Sequence, residues 1–148
     1  MVLNRQRRVR VPLDDLEQFL ARARRALRLP ADSLTVCLVT NAAIARWNRA
    51  YRGKPRPTDV LSFRAGDDAN ARPRRGTRSL APDSYLGDIA IAPGVALRNA
   101  RRLGRNFDDE MRILILHGIL HLMGYDHETD TGQMDRRERR LRRALGLG

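Results

Sequence analysis

All three histidines of this 148-residue chain lie within eleven positions, in the stretch LHGILHLMGYDH at residues 116–127. His117 and His121 are four residues apart, so a helix would place both imidazoles on one face, with about 5–6 Å between their Cβ atoms. Gly124 permits a left-handed backbone after such a helix, and the returning chain can then bring His127 to the same point. The spacing therefore predicts that three ring nitrogens bind one metal ion.

Three neutral nitrogen ligands leave the fourth position of a tetrahedral zinc ion open, which is typical of catalytic zinc, whereas structural zinc has four protein ligands. Cys37, the only cysteine, is distant in the sequence and is not expected to complete a closed site. One Zn²⁺ is therefore the predicted cofactor, although nickel or another divalent ion also suits three imidazoles. The alternative is that His117 and His121 are core histidines bonded to carbonyls, with His127 an unrelated surface residue.

The spacing H-x-x-x-H-x-x-G-x-x-H is also the ligand spacing of metzincin proteases. Those enzymes have a glutamate immediately after the first histidine as the general base for peptide hydrolysis, and this chain has Gly118 at that position. Peptide hydrolysis would need another carboxylate, such as Glu110 or Glu128. A zinc metallopeptidase is therefore an alternative function.

The net charge predicts the class of partner. The chain has a formal net charge of +12, and Lys54 is its only lysine. A GC-rich genome would explain the choice of arginine over lysine, but it would not explain the sign of the charge. Positive charge attracts polyanions, and guanidinium groups match the geometry of phosphate, so nucleic acid is the predicted partner. The charge alone does not distinguish DNA from RNA.

The remaining composition indicates a soluble, cytoplasmic protein. The N-terminal MVLNRQRRVRVP lacks the apolar region and the cleavage site of a signal peptide, and no segment reaches membrane-spanning length. A single cysteine excludes an intramolecular disulfide, which fits a reducing compartment. Cys37 lies in the apolar run LTVCLV, so we expect a buried residue and no catalytic thiol.

Short apolar runs alternate with helical periods, which predicts one α+β domain over residues 1–148. Strands are predicted at residues 8–12, 34–39, 58–63 and 86–92. Helices are predicted at residues 13–28, 41–51, 93–103, 107–123 and 131–145. The helix at 107–123 is apolar on almost every side, which is typical of a central core helix, and Asn106 and Gly124 are expected to end it. Residues 64–84, rich in Gly, Pro and Arg, are expected to form a mobile surface loop.

Three blocks of this sequence resemble the YbeY family of bacterial ribosomal-RNA maturation endoribonucleases. The blocks are YRGKPRPTDVLSF (51–63), LGDIAIAP (86–93) and HGILHLMGYDH (117–127), in the family's order. The similarity covers about residues 34–147. It implies a mixed sheet of about four strands covered by about five helices, with a metal cleft at the C-terminal end of a central helix.

The resemblance also implies the site and its activity. His117, His121 and His127 match the family's zinc ligands, and Arg52 matches the arginine of its Y-R-G-K block, which is thought to face the metal and serve RNA hydrolysis. The implied protein is a zinc-dependent, single-strand-specific endoribonuclease that matures ribosomal RNA, notably the 3′ end of the small-subunit RNA, and acts in ribosome quality control. Its expected partners are single-stranded and ribosomal RNA, and the small ribosomal subunit or its assembly factors. A non-catalytic rRNA-binding factor with a structural metal is a third alternative.

For the reaction we hypothesise metal-assisted phosphodiester cleavage. A zinc ion can lower the pKa of bound water toward about 7, or it can polarise a phosphate oxygen while the RNA 2′-hydroxyl attacks. The residues do not decide between these routes. Arg52 would stabilise charge that develops on the phosphoryl oxygens. The chain departs from the family pattern at Arg64, where relatives usually have proline, and in the long basic loop that follows.

Other residues near these blocks are weaker candidates. Asp59 and Asp126 can orient imidazoles, and Asp88 can line the cleft, although such aspartates more often make local hydrogen bonds. Trp47 and Tyr51 share a helical face and are expected in the core. The run RRERRLRR of the last helix is expected to be a solvated face, with binding to ribosomal RNA as the alternative.

Overall fold

A computed structural model describes residues 1–53, 58–65, 85–126 and 130–147. The elements occur in the order β1 (Val2–Asn4), α1 (Leu13–Ala26), β2 (Leu34–Leu38), α2 (Asn41–Arg52), β3 (Val60–Arg64), β4 (Gly87–Ile91), α3 (Pro93–Leu103), α4 (Phe107–Leu122) and α5 (Gln133–Ala144). The predicted α+β class, with four strands and five helices, is confirmed. From residue 66 onward, the predicted loop at 64–84 lies outside the described residues.

The four strands form one mixed sheet in the order β1-β2-β4-β3. β1, β2 and β4 are parallel, and β3 pairs antiparallel with β4 at the edge of the sheet. Every residue of the two central strands β2 and β4 is buried, including the polar Thr35 and Asp88. Edge strand β3 is only partly buried, so it can form one wall of a surface cleft.

Apolar side chains cover both faces of the sheet. On one face, residues from α1, α4 and α5 form the larger core cluster with Ile89 and Ile91 of β4. On the other face, Ile44 and Trp47 of α2 pack on Phe63 and its neighbours. Full burial of one such aliphatic or aromatic side chain contributes about 1.5–3 kcal/mol, so both clusters hold the helices firmly on the sheet. Within the described ranges, no helix is both long enough and apolar enough to cross a membrane.

Cys37 lies in the middle of β2 and is buried, as predicted. Burial raises the pKa of its thiol above the ordinary value, while the positive charge of Arg5 opposes the rise and the negative charge of Asp88 adds to it. A thiol that is buried and held in its neutral form is a poor nucleophile. Cys37 therefore serves as a core residue.

Helix α4 is the central helix that the sequence predicted. Asn106 caps its N-terminus, because the Asn106 side-chain oxygen accepts hydrogen bonds from Asp108 N at 2.8 Å and Asp109 N at 3.3 Å. Beyond its last turn, Gly124 has φ +102°, and Tyr125 N donates to Leu120 O at 3.0 Å. The backbone thus turns sharply just after His121, as the glycine indicated.

The predicted strand at residues 8–12 is wrong, because the N-terminal strand is Val2–Asn4. After it the chain leaves the sheet in a turn closed by Gln6, whose amide donates to Val9 O at 2.9 Å and accepts from Val9 N at 3.0 Å. Val11 belongs to this irregular segment and is buried in the larger core cluster, and Val9 packs against the same cluster. The alternating valines therefore reflect packing against the core, which mimics the period of a strand.

Candidate active site

A cleft of about 560 Å³ lies between the C-terminal part of α4 and the edge strand β3. Its lining residues come from α2, β3, α4 and the segments beside them: Tyr51, Arg52, Thr58, Asp59, Val60, Leu61, Ser62, Arg64, His117, His121, Tyr125 and Asp126. The cleft therefore brings together Arg52, His117 and His121, which are three of the four site residues predicted from the sequence. Arg52 and His121 are more than sixty positions apart in the chain.

The two histidines of α4 converge within this cleft. The Nε2 atoms of His117 and His121 are 3.1 Å apart, and the ring centroids are 4.7 Å apart. Two ligands that each bind one zinc ion at 2.0–2.1 Å in tetrahedral geometry have their nitrogens about 3.3 Å apart. The histidine pair therefore fits a shared metal ion without rearrangement of the helix.

The predicted third ligand, His127, lies outside the described residues. Within the described ranges, no group of three or more His, Cys, Asp or Glu side chains is arranged to hold a metal. The turn at Gly124 directs the chain along the cleft, because the next residues, Tyr125 and Asp126, both line it. His127 follows directly in the sequence, so its role as the third ligand stays a prediction.

A carboxylate of α5 contacts His117 at the ring nitrogen that does not face His121. Glu138 Oε1 lies 3.1 Å from Nδ1 of His117, and Glu138 Oε2 accepts a hydrogen bond from Arg142 Nη2 at 2.9 Å. Glu138 is only 6% exposed, so the prediction that RRERRLRR forms a solvated face is wrong at this residue. The sequence held a signal for it, because Glu138 shares the inward stripe of Met134 and Leu141 at spacings of four and three.

Arg52 reaches the cleft from the end of α2. It is the last residue of that helix, it is exposed, and Gly53 follows it with φ +70° in a left-handed cap. Trp47 packs on Phe63 with ring centroids 6.4 Å apart, as expected of a core residue. Tyr51 also packs on Phe63, with ring centroids 5.1 Å apart, but it remains 38% exposed at the cleft and so is only partly a core residue. An arginine and an aromatic ring thus stand side by side at one wall.

Arg64, at the position where the sequence departs from the family pattern, contacts the histidine helix directly. Its Nε and Nη2 atoms donate to the carbonyl oxygen of His121 at 3.4 and 3.3 Å. The His121 carbonyl also accepts a hydrogen bond from Gly124 N at 3.0 Å, and the carbonyls at the end of a helix carry partial negative charge, so a cation is favourable there. Arg64 therefore joins the end of β3 to the end of α4 and adds a second positive charge to the cleft.

The three candidate aspartates have different positions. Asp59 and Asp126 line the cleft, and the Asp59 carboxylate accepts hydrogen bonds from Asn99 Nδ2 at 3.2 Å and from Thr58 Oγ1 at 3.5 Å. Asp88 does not line the cleft. It is buried in β4, where its carboxylate accepts a hydrogen bond from the Tyr85 hydroxyl, so its role is in the core of the sheet.

Gly118, between the two histidines, is packed against the sheet. A Cβ atom at this position would lie 2.7 Å from Ile89 Cγ2, and the Gly118 carbonyl accepts a hydrogen bond from Ser62 Oγ at 3.1 Å. The absence of a side chain therefore lets α4 lie close to β4 and β3, which places the histidines beside the edge strand.

We predict that Gly118→Ala lowers the free energy of unfolding by about 1 kcal/mol or more. The added methyl overpacks the contact with Ile89, which costs about 1–3 kcal/mol, and the better helix propensity of alanine offsets only part of that cost. Urea unfolding followed by circular dichroism measures the change. An unfolding midpoint equal to or above that of the wild type would show that the sheet can move away from α4.

A comparison with protein families identifies the relatives of this chain. A family model described as Endoribonuclease YbeY matches residues 2–146. This chain belongs to the YbeY endoribonuclease family. The match extends the resemblance read from the sequence at about 34–147 to almost the whole chain.

Two relatives named Endoribonuclease YbeY illustrate the similarity. The protein of Koribacter versatilis (strain Ellin345) is 38% identical over 147 residues, covering 99% of this chain and 86% of the relative. That of Aquifex aeolicus (strain VF5) is 36% identical over 140 residues, covering 95% and 85%. Both alignments therefore cover nearly all of this chain and most of each relative.

A solved structure shares the fold. The solution structure of TM1509 from Thermotoga maritima superposes with a TM-score of 0.62 at 27% sequence identity, and the match covers 98% of this chain and 89% of that one. The arrangement of a four-stranded mixed sheet under a central helix therefore occurs in an experimentally determined protein.

Proposed function

We propose that this YbeY-family protein is a zinc-dependent endoribonuclease that cleaves single-stranded RNA. One observation carries the proposal: two imidazole nitrogens 3.1 Å apart line the same cleft as an exposed arginine, in a chain of an endoribonuclease family. The imidazole pair fits a divalent cation, and the arginine fits the phosphate of the substrate.

The residues of the cleft suit phosphodiester cleavage. When bound by His117, His121 and His127, a divalent ion supplies Lewis-acid chemistry to a phosphoryl oxygen and to water. Arg52 donates two parallel N–H groups to the phosphoryl oxygens and stabilises the charge that develops on them in the transition state. Arg64, which also lines the cleft, adds positive charge that attracts the RNA backbone.

The cleft also suits an unpaired strand. Proteins that bind single-stranded RNA commonly stack an unpaired base on an aromatic ring, and Tyr51 presents such a ring beside Arg52. Bases of a duplex are stacked inside the helix and cannot reach this ring. Single-strand specificity is therefore part of the proposal.

The biological role that we propose is maturation of ribosomal RNA, notably at the 3′ end of the small-subunit RNA, with a part in ribosome quality control. The resemblance of the three sequence blocks supports this role, and the net charge of +12 suits a protein that works on an RNA-rich particle. The small ribosomal subunit or its assembly factors are the proposed partners, and the cytoplasm is the proposed location.

The peptidase alternative gains no support from Gly118 or Glu110. Gly118 occupies the position of the metzincin glutamate and packs against Ile89, so it offers no carboxylate. Glu110 is buried in the first turn of α4, seven positions before His117, and forms an ion pair with Arg105 at 2.5 Å. Glu128, the other candidate base, lies outside the described residues. RNA cleavage is therefore favoured over peptide hydrolysis.

The test is a parallel assay on three substrates. Wild-type protein loaded with one equivalent of zinc is incubated with end-labelled single-stranded RNA, with the same RNA as a duplex, and with an unstructured protein such as casein. We expect cleavage of the single strand, little cleavage of the duplex, and intact casein. His117→Ala purified by the same procedure controls for contaminating ribonuclease. Intact RNA together with cleaved casein would establish the peptidase, and RNA binding without any cleavage would establish the assembly factor.

A further inference from the structure

Glu138 of α5 is a buried carboxylate with a cationic or hydrogen-bonding partner on each oxygen. Its Oε1 lies 3.1 Å from Nδ1 of His117, and its Oε2 accepts a charge-assisted bond from Arg142 at 2.9 Å. The side chain has only 9% of its surface exposed. Burial of an unpaired carboxylate costs free energy, so the ion pair with Arg142 makes it possible for Glu138 to be buried beside His117.

The position of Glu138 favours one tautomer of the His117 ring. A carboxylate paired with an arginine accepts hydrogen bonds, so the 3.1 Å contact of Oε1 fits a proton on Nδ1 of His117. In the neutral ring the other nitrogen, Nε2, then holds a lone pair. That nitrogen faces His121 in the cleft, 3.1 Å from the His121 Nε2 atom. The contact with Glu138 therefore favours the tautomer whose lone pair points into the cleft.

We propose that Glu138 is a positioning residue for the metal: it fixes the tautomer and the orientation of His117 so that Nε2 faces a divalent cation, and Arg142 holds Glu138 in place. The inference rests on the proposed metal site. Hydrogen bonding of this kind orients a ligand ring and raises its basicity, and its loss weakens metal binding by about 10–100-fold.

The surroundings of Glu138 argue for this role over simple packing. Met134 and Leu141 lie on the inward stripe of α5, Leu145 follows directly after the helix, and these apolar side chains already pack in the core. A buried ion pair adds little net stability compared with apolar residues of similar volume. Glu138 is therefore explained better by its hydrogen bond to the proposed metal ligand His117 than by a contribution to the stability of the helix.

The tests use Glu138→Gln and Glu138→Ala. Glutamine keeps the volume and an accepting oxygen but loses the charge, whereas alanine loses the contact. We expect zinc affinity, measured by competition with a chromophoric chelator, to fall about 10-fold for glutamine and about 100-fold for alanine. Asp135→Asn is the matched control, because Asp135 forms the same kind of i,i+4 pair with Arg139 at 2.8 Å but is exposed. Its zinc affinity should equal that of the wild type.

A second measurement needs neither zinc nor RNA. In metal-free protein labelled with ¹⁵N, the ring nitrogen shifts of His117, assigned by their absence from His117→Ala, report which nitrogen carries the proton. We expect a protonated Nδ1 in the wild type and in Asp135→Asn, and a mixture of tautomers in Glu138→Gln.

Wild-type zinc affinity and unchanged ring shifts in Glu138→Gln, with only a lower unfolding temperature, would overturn the proposal and leave Glu138 a structural residue. A wild type that binds no zinc would defeat the proposed function, whereas the ring shifts would still decide whether Glu138 sets the His117 tautomer.

Discussion

His117→Ala is expected to cleave single-stranded RNA at least about three orders of magnitude more slowly than the wild type. The substitution removes one of the three proposed nitrogen ligands, and the Lewis-acid contribution of a metal is worth several kcal/mol, with about 1.4 kcal/mol for each factor of ten in rate. Initial rates on an end-labelled single strand, at saturating substrate and with one equivalent of added zinc, measure the effect.

The structure indicates that this variant will fold. His117 is partly exposed at the cleft, and the core of α4 consists of its apolar neighbours. Wild-type protein treated with a chelator is the matched control, because it retains every side chain and should show the same low rate. Addition of zinc should restore the wild type and leave the variant inactive. A His117→Ala variant with more than about a tenth of the wild-type rate would contradict the proposed site.

Arg52→Glu is expected to lower the kcat for RNA cleavage by about 10²–10³. That is the usual effect of removing one donor that stabilises developing negative charge, and the new carboxylate also repels phosphate. Arg52 is exposed, so the change should leave the fold and the zinc content unaltered. Arg52→Lys should retain part of the activity, because an ammonium group keeps the charge but cannot bind a phosphate in a bidentate manner.

Arg49→Glu supplies a control of equal charge change. Arg49 lies in the same last turn of α2 and is exposed, but it is absent from the lining of the cleft. If cleavage depends only on the overall positive charge, both variants should lose activity equally, and both losses should shrink as salt is raised. A specific role for Arg52 requires that its variant lose at least about ten times more activity than Arg49→Glu at the same salt concentration.

Features that depend on local sequence were predicted well. The sequence indicated a helix over 107–123, and the structure has α4 at Phe107–Leu122, with Asn106 as its cap. The reason is that capping, helical period and the glycine turn involve residues close together in the chain. The proximity of His117 and His121 could also be predicted from the sequence, because residues four apart in a helix lie side by side on one face.

Features that depend on contacts between distant segments were missed or only partly seen. In the sequence, Glu138 is one of several charged residues on a helix face that was expected to be solvated. Only the packing of α5 on α4 brings its carboxylate to His117. Residues 8–12 looked like a strand, since Val9 and Val11 pack against the core from an irregular segment and so give the same alternation. The contact from Arg64 to the His121 carbonyl likewise joins residues 57 positions apart. Such contacts have no local signature from which to infer them.

The central claim is that His117, His121 and His127 together hold one catalytic cation. Elemental analysis of the purified wild type beside His121→Ala tests it most directly, because it counts the metal without reference to any substrate. We predict about one zinc per wild-type chain and almost none in the variant, with both proteins folded by circular dichroism. The same zinc content in both proteins, or none in the wild type after zinc is supplied, would contradict the claim.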